Sequence, residues 1–190
     1  LLSLMGILTA GTFAYLYAQK SGLDTIEMTI LLLVSVFAGW AGSHLTYALV
    51  NYQDLWTFLT NLNRISSFSQ FFQYFQYVFG GAVFYGGLIF GIPAGFLYTR
   101  RKGLDRGAYS DVAAAAIPLF HAFGRIGCFL GGCCYGVECR VGFIYTRAIV
   151  EEANGVRRFP IQLLESFFNF ALFLLLWHFL RKKKYEGKLL

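Results

Sequence analysis

The sequence predicts an all-α fold, a polytopic transmembrane helical bundle of about five spans, and three observations support this prediction. The 190 residues have a mean hydropathy of +0.55, and only 14% of them are charged. Five mainly apolar runs have about the length of 20 residues that a helix needs to cross a hydrocarbon core of about 30 Å. Glycine is abundant, with 21 residues, and inside such runs it lets helix backbones approach closely.

Polar or charged residues close each of the five runs, which cover residues 1–18, 26–50, 77–99, 112–135 and 161–180. The first run lacks a basic leader and a small-residue cleavage site, so we interpret it as a retained span rather than a secretory signal. Because the chain starts with Leu1 and a new apolar run begins near Leu190, we expect a trimmed fragment. The prediction is one membrane-embedded domain over residues 1–190.

Lys and Arg are in excess in two connections, which predicts the orientation because such segments stay in the cytoplasm. One follows the third run and the other follows the fifth, so both lie on the same side of a five-span bundle, as alternation requires. The start of the chain and the segments 51–76 and 136–160 are then external. The net charge of +6 serves orientation and attraction to anionic lipids, and nucleic-acid binding is not predicted.

The external segment 51–76 is rich in Phe, Tyr and Trp with scattered polar residues. This composition suits the lipid headgroup layer, where amphipathic rings settle. Two interpretations stay open, an interfacial helix and a gate for lipid or substrate.

Arg125 is the outstanding candidate for chemistry, because a charged side chain within a span is costly and marks a functional site by default. It lies in the fourth run between Gly124 and Gly127. Its planar guanidinium donates two parallel hydrogen bonds and stays charged, which suits a phosphate. The alternative is a structural pair with Glu165 or with helix carbonyls.

Four further polar residues are candidates for the same site. His121 lies one helical turn before Arg125 and shares its face. Gln162 and Glu165 open the fifth run just after Pro160, and Glu165 is the expected counter-ion of Arg125 or His121. His44 lies in the second run, and for both histidines a structural role stays open.

Tyr85 stands between the glycine pairs 80–81 and 86–87 in the third run. The glycines leave backbone space beside its phenol, which is suited to a lipid headgroup or to a proton relay, although it is a poor base without help. Ordinary helix packing is the alternative interpretation.

Four cysteines, Cys128, Cys133, Cys134 and Cys139, follow one another at spacings of four, zero and four residues. These spacings match none of the usual zinc or iron–sulfur patterns, so no metal site is predicted. Buried free thiols, an exposed thiol and a disulfide with Cys139 stay open.

The stretch Gly-Arg-Ile-Gly-x-Phe at 124–129, continuing through Gly132 and Gly136, resembles the signature of the bacterial prolipoprotein diacylglyceryl transferase family. Three further stretches agree in order: Tyr-Gly-Gly-Leu-Ile at 85–89 resembles the family's His-Gly-Gly-Leu-Ile, 42–47 its Gly-Gly-Arg-Ile-Gly-Tyr, and 159–165 its His-Pro-x-Gln-Leu-Tyr-Glu. The family is all-helical, commonly with seven spans, its first end outside and its last inside. The resemblance therefore implies that the family's last two spans are missing from residues 1–190.

The resemblance implies transfer of the diacylglyceryl group of phosphatidylglycerol to the lipobox cysteine of a preprolipoprotein signal peptide, with release of glycerol phosphate. It also implies an enzyme of the bacterial inner membrane, in contact with membrane lipids, and no metal or organic cofactor. Catalytic roles fall to Arg125, Tyr85, His121 and Glu165. Substrate-binding roles fall to Arg125, Gly86, Gly87, Gly124, Gly127, Gly132, Gly136, Gln162 and His44.

This chain departs from the family pattern at several polar positions. Tyr85 replaces the His of the His-Gly-Gly stretch, and Cys128 and Cys133 replace the Asn and Glu of the signature. His44 and Phe159 replace an Arg and a His. Two alternative functions therefore stay open beside the transferase: a related transferase with another acceptor, and a non-catalytic protein that binds or transports lipid.

Overall fold

A computed structural model describes residues 2–65 and 67–182, and within these ranges it contains seven α-helices and a two-stranded sheet. The helices are α1 (Leu2–Ser21), α2 (Thr25–Val50), α3 (Tyr52–Thr60), α4 (Phe68–Phe79), α5 (Phe84–Lys102), α6 (Arg106–Gly131) and α7 (Ile161–Leu180). Between α6 and α7, strands β1 (Glu138–Ile144) and β2 (Arg157–Arg158) pair antiparallel. The chain forms two compact units, one from Leu1–Thr29 and Asp105–Leu190, the other from Ile30–Leu104.

Three described helices, α2, α6 and α7, are long and apolar enough to cross a membrane. A fourth span is counted if α4 and α5, which are bent by 92° at a short break, act as one. The all-α membrane bundle is thus confirmed, with three to four candidate spans where the sequence predicted five runs. Helix α1 also has the length of a span but is not among these candidates. The orientation stays a prediction.

Helix α6 is the central helix of the first unit and packs against both α1 and α7. The α1 crossing is close, because a Cβ at Gly6 would meet Phe120 O and Phe123 Cβ at 3.0 Å. Helices α1 and α7 also contact each other, through an edge-on contact between the rings of Phe13 and Phe173, whose centroids are 5.0 Å apart. Small residues bring the backbones together on one side, and aromatic side chains fill the space on the other.

Both ends of α6 differ from the predicted run at 112–135. The helix starts at Arg106, because the Asp105 side chain accepts a hydrogen bond from the Ala108 amide at 3.2 Å and caps the first turn. It ends at Gly131, because Gly132 adopts a left-handed conformation with φ of 69°. Arg125 therefore lies six residues before the helix end, about 9 Å along the axis, and not near the middle of the span.

In the second unit, glycines pack α5 against α2. A Cβ at Gly86 would meet Thr46 Cβ at 2.6 Å and Gly42 O at 2.8 Å, and a Cβ at Gly39 would meet Gly87 O at 3.0 Å. The interpretation of the intramembrane glycines as packing residues is confirmed here, since any side chain would force the helices apart.

The predicted third run at 77–99 is interrupted in the structure. Residues 77–79 belong to α4, and α5 begins only at Phe84. His44 Nδ1 lies 2.7 Å from Phe79 O and 2.8 Å from Gly81 O, so the break is anchored to α2 by a side chain that satisfies the carbonyls left free there.

The segment 51–76 is mostly helical, as the interfacial interpretation expects. It contains α3, a 3-10 turn at Leu62–Arg64 and most of α4, which Ser67 caps by accepting a hydrogen bond from Gln70 N. Phe58 of α3 and Val78 of α4 bury their side chains with Ala48 of α2. Their outer faces carry exposed aromatic residues.

Candidate functional site

The carboxyl end of α6 forms a tight reversal that brings Cys133 back onto Cys128. The amide of Gly132 donates to Phe129 O at 3.2 Å, and the amide of Cys133 donates to Cys128 O at 3.1 Å. This pair of bonds is the Schellman motif, which places the residue two beyond the helix end against the last full turn. Cys134 continues the reversal with φ of 52°, the one described non-glycine residue with a positive φ.

Helix α7 presents a polar face to α6 through three residues spaced three and four apart. Gln162 is fully buried, and its Nε2 donates to Cys133 O at 2.9 Å. Ser166 is also buried, and its hydroxyl donates to Ala122 O at 2.9 Å. Glu165, between them in sequence, forms an ion pair with Arg125. The face fixes both the α6 backbone and the end of its last turn.

The Arg125–Glu165 ion pair confirms the counter-ion predicted from the sequence. The Arg125 side chain is 15% exposed and that of Glu165 is 43% exposed, so the pair opens outward from the carboxylate side. Arg125 Nε is buried and has no hydrogen-bond partner among residues 2–65 and 67–182. One carboxylate therefore engages only part of the guanidinium, which has five N–H donors.

His121 and two glycines complete the α6 face. His121 is partly buried, one turn before Arg125, and close enough to both Arg125 and Glu165 to interact electrostatically. A Cβ at Gly124 would meet nothing within 4 Å, whereas one at Gly127 would be 3.5 Å from Leu2 Cβ. The helix surface at Gly124, about 100° around the axis from Arg125, is thus not covered by the described residues.

The thiols of Cys128, Cys133 and Cys134 gather next to Arg125. Their sulfur atoms all lie within 4.8 Å of one another, and Arg125 is within hydrogen-bonding reach of Cys134. Cys134 is exposed, and the other two are partly buried. All four cysteines are free, including Cys139 on β1. The structure therefore does not contain the disulfide that the sequence left open.

The loop between α6 and α7 covers the reversal with residues that the sequence did not single out. Tyr145 is buried, and its ring contacts Phe129 and Phe143 at centroid distances of 5.9 and 5.4 Å. Gln162 Nε2 also reaches Tyr145 Oη at 3.4 Å. Burial raises the pKa of Tyr145 above its usual value, although the Gln162 hydrogen bond opposes this, so the phenol stays protonated.

Two of the predicted substrate-binding residues have structural partners in this loop. The Nε2 of Gln162 donates hydrogen bonds to Cys133 and Tyr145, although its Oε1 has no partner in the described ranges 2–65 and 67–182. A Cβ at Gly136 would be 3.3 Å from Ile161 Cβ and closer still to Phe159 O. The absence of a side chain at Gly136 therefore lets the backbone at the start of α7 pack closely against it.

Tyr85, Gly86, Gly87 and His44 lie in the second unit. Tyr85 is 72% exposed in the first turn of α5. Gly86 and Gly87 serve the packing of α5 against α2, and His44 serves the break before α5. Within their own unit, the glycines and His44 have structural contacts, whereas the phenol of Tyr85 is exposed on the surface of the unit.

The fold and these contacts define a multi-pass membrane protein with an arginine-centred polar site near one end of a span. Comparison with known proteins identifies its family. The profile of the prolipoprotein diacylglyceryl transferase family matches residues 1–190. The chain belongs to this family, which is one of transferases.

Individual relatives agree with the family match. The phosphatidylglycerol–prolipoprotein diacylglyceryl transferase of Clostridium tetani is 29% identical over 187 residues, which cover 97% of this chain and 69% of the relative. The protein of the same name from Clostridioides difficile is 26% identical over 185 residues, which cover 97% and 67%. The enzyme numbered 2 from Clostridium perfringens is 36% identical over 110 residues, which cover 57% and 43%.

Proposed function

We propose that this chain transfers the diacylglyceryl group of phosphatidylglycerol to the cysteine thiol of a prolipoprotein, with Arg125 holding the phosphate. The observation that carries the proposal is the position of Arg125. It lies within the stretch that resembles the family signature, and its Nε is buried without a hydrogen-bond partner among residues 2–65 and 67–182.

The reaction requires a sulfur nucleophile and a stabilised leaving group. The acceptor thiol loses its proton, and its sulfur attacks the glyceryl CH₂ carbon that is bonded to the phosphate. The S–C bond forms, the C–O bond breaks, and the electron pair leaves on the phosphate oxygen of glycerol phosphate. Because negative charge builds up on that oxygen, a fixed cation in a site with little water stabilises the transition state.

The depth of Arg125 fits this role. At about 9 Å from the end of α6, its side chain reaches toward the level at which the phosphate of a membrane lipid lies, while the acyl chains extend toward the bilayer centre. A guanidinium binds such a phosphate through two parallel hydrogen bonds, which position it as well as neutralise it.

Glu165 and His121 support Arg125 in this scheme. Glu165 holds the guanidinium in one orientation, and its exposed side leaves it free to give way when a phosphate binds. His121, one turn away on α6, serves as proton acceptor. Tyr85, whose phenol is exposed on the second unit, is proposed to contact a lipid headgroup there.

The proposal includes the location of the protein. The basic residues in the last turn of α5, at the start of α6 and after α7 predict that those ends lie in the cytoplasm, and the α6 end with Arg125 then faces the outside of a bacterial cytoplasmic membrane. Segments 51–76 and 136–160 are then external, where a translocated signal peptide arrives.

The test is incubation of the purified protein with phosphatidylglycerol and a lipobox peptide, with peptide mass and released glycerol phosphate as readouts. The native chain is expected to add one diacylglyceryl group to the peptide, and Arg125→Ala to lose at least about 100-fold in turnover. Arg140→Ala, which removes an exposed arginine on β1, is the matched control and should match the native rate. Equal turnover in the Arg125 variant rules out the proposed role.

A second acceptor is favoured by the replaced positions of the family pattern, Tyr85, Cys128 and Cys133. The same assay separates the two cases, because a different acceptor gives glycerol phosphate release only when a small thiol or a glycan replaces the peptide. Lipid binding without any release of glycerol phosphate would instead identify a non-catalytic protein.

A further inference from the structure

The three thiols at the end of α6 form a cluster that the reaction above leaves without a task. Cys128 and Cys133 are brought together by the Schellman motif and are in side-chain contact. Cys134 joins them only because it holds φ of 52°, a left-handed conformation that is unfavourable for a non-glycine residue. A glycine at 134 would avoid this cost, so the fold keeps a thiol at a position where it is conformationally unfavourable.

The geometry of the cluster fits one thiophilic metal ion. Thiolate ligands bind Zn²⁺ at about 2.3 Å, which sets sulfur atoms about 3.8 Å apart in a tetrahedral site. The sulfur atoms here lie within 4.8 Å of one another, so side-chain rotations that shorten these distances by about 1 Å collect them around an ion. The spacing along the sequence does not reveal this, because the left-handed Gly132 folds Cys133 and Cys134 back onto Cys128.

The number of ligands also matters. No fourth His, Cys, Asp or Glu joins the three thiols within the described residues. Structural zinc sites have four protein ligands, whereas catalytic sites have three and leave one position open for water or substrate. Exposed Cys134 marks the side from which such a ligand enters.

The charge of the surroundings is compatible with an ion there. Three thiolates and Zn²⁺ carry a net charge of −1, and the guanidinium of Arg125, within reach of Cys134, lies against it. Gln162 fixes the carbonyl of Cys133 from α7 and so supports the turn that holds two of the ligands.

The geometry points to a Zn²⁺ site formed by Cys128, Cys133 and Cys134, whose open fourth position binds and activates the acceptor thiol. The activating role rests on the proposed transferase function, whereas the metal site does not. A thiol that coordinates a metal is deprotonated outright, which supplies the nucleophile in a chain where Tyr85 replaces the histidine of the family pattern.

The step balances without a further reactant. The acceptor thiol takes the open position and releases its proton to His121, and the zinc-bound sulfur attacks the glyceryl CH₂ carbon. The S–C bond forms as the C–O bond breaks, and glycerol phosphate leaves with the electron pair beside Arg125. The product is a neutral thioether, a weaker ligand than a thiolate, so it dissociates and frees the zinc.

Metal binding is tested on the protein purified under reducing conditions, loaded with Zn²⁺ and freed of excess ion. Elemental analysis is expected to find one Zn²⁺ per chain, and Co²⁺ as a probe should give the absorption of a tetrahedral thiolate site. Cys133→Ser should weaken Zn²⁺ binding at least about tenfold. Cys139→Ser, the fourth cysteine and outside the cluster, is the matched control and should bind normally. Equal binding by both variants, or no bound Zn²⁺ in the native chain, overturns the site.

Cys134→Gly separates metal binding from folding. Glycine accepts φ of 52° without strain, so this variant should unfold at the same temperature as the native chain without metal, or a few degrees higher. Added Zn²⁺ should raise the unfolding temperature of the native chain but not of Cys134→Gly. The site is refuted if Zn²⁺ stabilises both proteins equally.

The turnover assay distinguishes a failure of the inference from a failure of the proposed function. Removal of zinc with a chelator, and Cys133→Ser, should each lower turnover at least about 100-fold, with recovery of the chelated native chain on adding Zn²⁺. Native turnover by the zinc-free protein overturns the activating role and leaves the transferase function standing. Zinc binding as expected, with no turnover of any acceptor, contradicts the proposed function and its activating role, while the metal site remains.

Discussion

Substitution of Gly132 by alanine is the perturbation that most clearly connects the backbone of this protein to its site. Gly132 adopts φ of +69° at the end of α6, and a Cβ there would lie 2.8 Å from Ala148 Cα and closer still to Ala148 Cβ. Gly103, at the end of α5, adopts φ of +65° with the same pair of capping hydrogen bonds, but a Cβ there meets nothing within 4 Å. The two glycines differ in steric surroundings and share backbone conformation.

The different surroundings of the two glycines set the expected loss in the free energy of unfolding for each variant. Gly103→Ala should lower the free energy of unfolding by about 1 kcal/mol, the cost of a left-handed alanine less the gain from a less flexible unfolded chain. Gly132→Ala has the same cost and adds overpacking against a backbone and a methyl group that cannot rotate away, about 1–3 kcal/mol more. For a chain of this size, unfolding temperatures should fall by about 2–4 °C and about 5–15 °C respectively.

The assay is thermal unfolding in detergent, followed by tryptophan fluorescence, together with turnover of phosphatidylglycerol. Gly132→Ala should also lower turnover, because the turn moves Cys133 away from Cys128 and from Gln162. Equal unfolding temperatures for the Gly132 and Gly103 variants would refute the close packing of this turn against Ala148.

Three further predictions concern the polar face of α7 and the loop. Glu165→Gln should lower turnover about tenfold, because Arg125 loses the charge that orients it, but should leave the free energy of unfolding within about 1 kcal/mol, since Glu165 is 43% exposed; kinetics and thermal unfolding check both. Gln162→Leu should destabilise by about 1–3 kcal/mol, because it leaves the Cys133 carbonyl buried without its donor, and an unchanged unfolding temperature would contradict this. The raised pKa of Tyr145 means that the native state holds this proton more tightly than the unfolded state, so its contribution to stability is complete below about pH 10 and is lost as the pH rises further. Tyr145→Phe should remove that alkaline loss, which unfolding temperatures measured across pH 9–11 would detect.

The helices were predictable from the sequence because lipid imposes long apolar runs, and those runs are visible by composition alone. Their ends were less predictable, since they depend on single residues. Asp105 caps α6 about two turns before the predicted run begins, and the bonds of His44 to the carbonyls before α5 accompany a break inside the predicted third run.

The candidate site was likewise predictable in part from the sequence. The Arg125–Glu165 pair was expected, because a buried cation needs a counter-ion and Glu165 stands at the start of the next apolar helix. The thiol cluster was not expected, because its geometry depends on two residues in left-handed conformations, of which only Gly132 carries a recognisable signal. Tyr145 and Ser166 were missed because a phenol in a loop and a hydroxyl in an apolar helix are common features with no signature of their own.

The most direct test of the central claim, that Arg125 holds the lipid phosphate through its fork of donors, is a conservative substitution. Release of glycerol phosphate from headgroup-labelled phosphatidylglycerol should be measured for the native chain, Arg125→Lys and Arg140→Lys. Lysine keeps the charge, but its compact ammonium cannot donate the two parallel hydrogen bonds of a guanidinium. Arg125→Lys should therefore retain lipid binding and lose at least about tenfold in turnover, while Arg140→Lys keeps the native rate. Native turnover by Arg125→Lys would contradict the claim.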